Sequence, residues 1–266
     1  MKKEEACRAG TDISVVISRA FAGDGLLLPP FCLSKVCLAD SALEETILTQ
    51  QAGQVLSAAE METFGAFGFP HRQREWLAGR LAVKEAVRTL EGEPQSRLRD
   101  IEVRVGERGR PFVATRAGDE RPLYIAISHS GASALGLASR VPCALDFQEI
   151  RSALARVEDR FVRAEERDLV RRCHSQELRA LGLVWAGKEA LRKYIPLWPL
   201  LGFLEARLHG VHILGSGLVL SFQPQPQKRA LPPRLPAVLA TLYGDNALAL
   251  IFAGSGPEGA LPFFDS

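Results

Sequence analysis

Twice along this chain a long helical stretch is followed by crowded, short extended segments, and that order leaves few folds open. The first helix signal starts near Pro70, where proline fits a first turn, and runs to about Glu91 before Gly92. Behind it, residues 101–105 alternate with charge, residues 106–111 read as a turn, and Phe112-Val113 resumes the extended chain. Residues 123–127 form a short apolar strand, 134–139 its hairpin partner, and 143–147 another extended run. The second half repeats the order loosely: helical signal over 153–173 and 176–194, then strands at 203–208, 211–214, 218–222 and 247–252. Strands this closely spaced leave no room for crossover helices, so they predict antiparallel meanders rather than parallel βαβ units.

The expectation is therefore an α+β chain of two similar halves, 1–142 and 143–266, each a meander packed on a long helix. Trp76-Leu77-Ala78-Gly79-Arg80 and Trp185-Ala186-Gly187-Lys188 look alike, each opening a basic helix. Residues 12–17, rich in β-branched side chains, read as a further strand, and 41–64 has helical composition. The proline- and glutamine-rich stretch 223–236 reads as a loop, and the tail from Gly254 as poorly ordered.

Composition narrows the functional classes. A net charge of +2 on 266 residues lacks the concentrated basic stripe of nonspecific nucleic-acid binding. Arg72, Arg74, Arg80, Lys84 and Arg88, against Glu75 and Glu85, make one locally basic helix that suits an anionic ligand. The five cysteines show no CxxC spacing, so neither a disulfide framework nor a zinc site is signalled, and a reducing, cytoplasmic setting is expected. No stretch approaches the roughly 20 apolar residues needed to span a bilayer.

Three segments carry chemistry: Ile127-Ser128-His129-Ser130, Ala144-Leu145-Asp146-Phe147-Gln148, and Trp185 through Lys193. Asp146 ends an apolar run, where a lone carboxylate is expensive to bury. Glu189 and Lys193, four apart on a helix, have the spacing of a surface ion pair. A hard dication such as Mg²⁺ takes one or two carboxylates plus phosphate oxygens, and Asp146 with Glu189 would supply these if the halves bring them together. His129, just past a strand end between serines, can donate to a phosphate, or can simply cap a strand. A serine hydrolase is excluded for want of a Gly-x-Ser-x-Gly elbow, and no Gly-rich phosphate loop occurs.

In order, Gly79-Arg80, Gly109-Arg110-Pro111, Ile127-Ser128-His129-Ser130, Leu145-Asp146-Phe147-Gln148 and Trp185-x-x-Lys188-Glu189-x-x-x-Lys193 resemble the phosphopantetheinyl transferases. The resemblance is to their larger, pseudo-dimeric, surfactin-synthetase-activator-like class and spans about residues 70–195. It implies two subdomains related by a pseudo-two-fold. It also implies transfer of 4′-phosphopantetheine from coenzyme A to a serine of an apo acyl or peptidyl carrier protein, with Mg²⁺ as cofactor, releasing 3′,5′-ADP. By the same resemblance Asp146 and Glu189 bind the metal, Glu189 is the base, and Lys193 meets charge on the leaving group. Arg110, Ser128, His129 and Lys188 lie along the coenzyme, and Arg80 meets its nucleotide end.

Gln148 departs from the family, standing where many members carry a third acidic ligand; its amide oxygen could still hold a metal-bound water. That departure supports a rival, a non-catalytic relative that binds coenzyme A or a carrier protein. A basic nucleic-acid module is the second rival, opposed by the lack of interleaved aromatic residues. No nucleic acid or membrane partner is expected, and two fused halves make a monomer sufficient.

Overall fold

The computed structural model describes residues 13–22, 26–37, 45–106, 109–114, 123–131, 133–195, 200–225 and 233–254. The tail after Gly254 and the middle of the expected 223–236 loop lie outside them. The chain forms two compact units, one of residues up to Val16 with Pro30–Val141, the other of Ile17–Pro29 with the residues from Pro142 onward.

In the first unit β1 (Phe31–Cys37) leads through α2 (Glu45–Val55), α3 (Ala58–Gly65) and α4 (Pro70–Glu91) to β2 (Val103–Val105), β3 (Pro111–Val113), β4 (Tyr124–Ser130) and β5 (Ser133–Ser139). The five strands are antiparallel in the order β1-β5-β4-β3-β2. Proline opens α4, and Gly92 closes it in the left-handed conformation at φ 71°. Its inner face, including Ala82, Val83, Ala86 and Val87, packs on β5, β1 and β4. Helix and sheet approach so closely that a Cβ at Gly136 of β5 would overlap the Val83 backbone.

The second unit follows the same path. From β6 (Cys143–Glu149) the chain runs through α5 (Ala153–Arg156), α6 (Arg167–Cys173) and α7 (Glu177–Tyr194) to β7 (Ala206–Leu214), β8 (Gly217–Pro224), β9 (Val238–Tyr243) and β10 (Asn246–Phe252). Its sheet order, β6-β10-β9-β8-β7, repeats that of the first unit strand for strand. α7 packs on β10, β6 and β9 as α4 packs on β5, β1 and β4. The α+β architecture with two similar subdomains is thus as expected, except that the first strand of each unit stands beside the last instead of in the meander.

A duplicated buried clamp fixes how the units correspond. The Lys84 ammonium donates to the Val55 carbonyl at 2.7 Å and pairs with Glu60, which also accepts from the Ser57 and Val103 N–H groups. Lys188 donates to the Phe161 carbonyl at 2.6 Å and to Glu166 at 2.8 Å, and Glu166 accepts from the Arg163 and Leu208 N–H groups. Both lysines have 0% exposure, and burial lowers both ammonium pKa values, partly opposed by their glutamate partners. Lys84-Glu85-Ala86 therefore matches Lys188-Glu189-Ala190, and Leu81, not Trp76, is the counterpart of Trp185. The tryptophans mislead because each packs on its own neighbours, whereas the clamp lysine is tied to the fold.

Residues 12–17 were expected as a strand; the described part instead begins α1 (Ile13–Ala20). Ile13, Ile17, Ala20 and Phe21 are buried at helical spacing, so that period outweighs β propensity. The pair of strands expected at 203–208 and 211–214 is one strand, β7, after a single 3-10 turn at Phe203–Glu205. Cys32, Cys143 and Cys173 are in no disulfide, but Cys37 is disulfide-bonded, contrary to the expectation of no disulfide.

Candidate functional site

Strand β6 places Asp146 in its middle, opposite Ala249 of β10, with Leu145 and Phe147 fully buried beside it. At 6% exposure an unpaired carboxylate would be unstable there. Lys193, from the last turn of α7, meets it: Nζ donates to Asp146 Oδ1 at 2.7 Å and to the Leu145 carbonyl at 3.2 Å. One turn earlier Glu189 accepts from Arg192 Nη1 at 2.6 Å. Burial pushes the Glu189 carboxyl above the usual glutamate range; Arg192 and Lys193 oppose that push, and the negative charge of Asp146 adds to it. The two carboxylates are therefore near enough to repel each other. Both belong to the second unit, so their convergence depends on β6 against α7 and not, as the sequence implied, on the two halves meeting.

Among the described residues no group of three His, Cys, Asp or Glu side chains gathers as a metal cage. Two mutually repelling carboxylates, each neutralised by a cation, are a donor set that fits a hard dication completing its shell with phosphate and water. Gln148 lies two residues along from Asp146 on the same strand face, and its Nε2 donates to the Glu149 carbonyl at 2.8 Å.

In the first unit His129 lies within β4, one residue before its end rather than past a strand end as expected, at an exposed position. The imidazole lies against α4 where Gly79 has no side chain; a Cβ there would overlap Nε2. Ser128 is buried, and Arg110 precedes β3, its carbonyl accepting from the Gly106 N–H at 2.8 Å to close the turn. Two residues expected along the coenzyme are turned inward instead. Lys188 is the clamp lysine of α7, enclosed with Glu166, and has no surface for a ligand. Arg80, 7% exposed, lies 3.4 Å from Glu60 and stacks on Trp76 at 4.4 Å. Sequence alone could not separate these from solvent-facing cations, because their glutamate partners are distant in the chain.

No protein-family model matches the chain. A curated holo-[acyl-carrier-protein] synthase of Lactococcus lactis is 35% identical over 85 residues, 31% of this chain and 71% of that protein. The chain belongs to the holo-[acyl-carrier-protein] synthase family. A second member, from Geobacillus kaustophilus, is 39% identical over 80 residues, 29% of this chain and 60% of that protein. A holo-(acyl-carrier-protein) synthase from Bacillus anthracis, solved in complex with CoA (3′,5′-ADP), is 27% identical over 41% of this chain and 92% of that one. Its TM-score with this chain is 0.35.

The sequence reading names the two carboxylates and Lys193 but neither Arg192, the partner of Glu189, nor Glu166, the partner of Lys188. Arg192 carried a signal, since it stands three residues after Glu189 on one helix face. Glu166 carried none: it sits in a charged stretch, Arg163-Ala164-Glu165-Glu166-Arg167, that reads as surface.

Proposed function

We propose that this chain transfers 4′-phosphopantetheine from coenzyme A to a serine of an apo acyl or peptidyl carrier protein, with Mg²⁺ held by Asp146 and Glu189 and 3′,5′-ADP released. The observation that carries the proposal is the pair Asp146 and Glu189, coupled to each other and flanked by Lys193 and Arg192, in a chain whose curated relatives are named holo-[acyl-carrier-protein] synthases. When bound, Mg²⁺ neutralises the diphosphate and makes its β-phosphorus electrophilic.

Glu189 takes the proton of the incoming serine hydroxyl, directly or through water. Burial suits it to that task by raising its basicity toward working pH. The serine oxygen bonds the β-phosphorus as the bond to the α-phosphate oxygen breaks. Lys193, 37% exposed and donating to Asp146 and to the Leu145 carbonyl, follows the charge onto the departing 3′,5′-ADP. From the motif resemblance, Arg110 and His129 are assigned phosphate oxygens, and Gln148 a water on the metal. Lys188 and Arg80 are assigned no ligand, because both are enclosed. The proposal takes the protein as a cytoplasmic monomer; no described helix is long and apolar enough to cross a membrane.

The test is mass spectrometry of a panel of apo carrier proteins incubated with coenzyme A and Mg²⁺. A gain of one phosphopantetheine mass, abolished by chelation and by Asp146→Ala, is expected. No gain on any carrier would favour a non-catalytic binder of coenzyme A or carrier protein, the reading that the neutral Gln148 supports.

A further inference from the structure

Arg192 is held from three sides, and only one of them is charged. Its Nε donates to the Leu201 carbonyl at 2.8 Å, its guanidinium lies 4.5 Å from the centre of the Phe203 ring, and Nη1 donates to Glu189 Oε1 at 2.6 Å. Phe203 is itself fixed by stacking on Trp185 at 4.5 Å. The carbonyl and the ring thus anchor Arg192 independently of Glu189. Lys193 differs, since its ammonium meets Asp146 from the end of a flexible four-carbon stem.

A dication shared by Asp146 and Glu189 draws on the carboxylate charge that Arg192 now neutralises through Oε1. When Glu189 turns to the metal, the anchored guanidinium stays behind with a vacated donor, pre-set in the planar fork that suits a phosphate. We infer that Arg192 exchanges partners, giving up Glu189 to the incoming dication and taking a phosphate oxygen of the diphosphate, so that metal and coenzyme A bind interdependently. The metal alone then competes with an ion pair, whereas metal and diphosphate together leave every charge matched. This inference rests on the proposed metal site at Asp146 and Glu189.

The test is Mn²⁺ binding followed by electron paramagnetic resonance, with and without coenzyme A, on the full chain. The parent protein is expected to bind Mn²⁺ weakly alone and more tightly with coenzyme A. Arg192→Gln is expected to bind Mn²⁺ alone up to about five-fold more tightly, the size of a partly exposed ion pair. Its coenzyme A affinity should fall about ten-fold, as for a lost charged hydrogen bond, and the mutual enhancement should shrink. Arg192→Met, which keeps the stem on Phe203, gives the same answer if Gln does not fold. Arg192→Lys keeps the charge and should keep weak metal-only binding. Unchanged or weaker Mn²⁺ binding in both neutral variants, or an equal gain in Arg192→Lys, would overturn the exchange. Failure of the underlying site looks different: Mn²⁺ binding with coenzyme A would then survive Glu189→Ala.

Discussion

Glu189 is ionised at the expense of stability, because burial and the nearby Asp146 raise its pKa while Arg192 and Lys193 only partly compensate. A folded-state pKa above the unfolded one means that the folded chain holds the proton more tightly, so stability is lost as pH rises through the folded value. Glu189→Gln should therefore abolish carrier modification yet melt no lower than the parent at pH 7. Its advantage should fade as pH drops toward the ordinary glutamate range; thermal melts at several pH values would refute this if the variant were the less stable at pH 7. Gly79 makes a second residue-scale case. Alanine favours a helix by up to about 1 kcal/mol over glycine, yet a Cβ at this position overlaps the His129 imidazole. Gly79→Ala should weaken coenzyme A binding by calorimetry without lowering the melting temperature, and unchanged binding would remove His129 from the phosphate assignment.

At the scale of elements, the clamp lysines tie each long helix to the segment before it and to its sheet. Lys188 bonds Phe161 and Glu166, and Glu166 bonds the backbone of β7 at Leu208. Removing one partner of a buried pair strands the other, so Lys188→Met should cost about 3–5 kcal/mol in urea unfolding. Lys188→Met with Glu166→Gln should recover part of that loss, and a double variant no better than the single one would count against the pair. Helices α4 and α7 were legible because proline, glycine and long apolar faces mark them. Strand β1 was not, since its burial is intermediate at six of seven positions and gives no alternation. β9 is an apolar run broken only by Thr241, and such runs do not declare themselves as strand or helix.

At the scale of the whole chain, repetition of one topology gives each site residue a counterpart. Glu189 and Arg192 match Glu85 and Arg88, also an ion pair, whereas Lys193 matches Thr89 and Asp146 matches Ser34, each in the fourth position of its strand. The first unit thus keeps the helix pair without the second carboxylate or the lysine. Glu85→Ala should leave carrier modification intact and shift stability by no more than about 0.5 kcal/mol. Loss of turnover comparable to that of Glu189→Ala would show that the first unit carries chemistry the counterparts do not explain.

From the order of residues alone came the alternation of long helices with crowded strands, the two halves, the family, and the acidic pair with Lys193. Those features are local in period or fixed in spacing, and a linear string records both. Tertiary structure decided which cations face inward, that both carboxylates belong to one unit, and that Arg192 shares Glu189. Each of these depends on groups far apart in the chain, such as Lys188 with Glu166 or Arg192 with Leu201 and Phe203, whose meeting only the packing of helix on sheet determines.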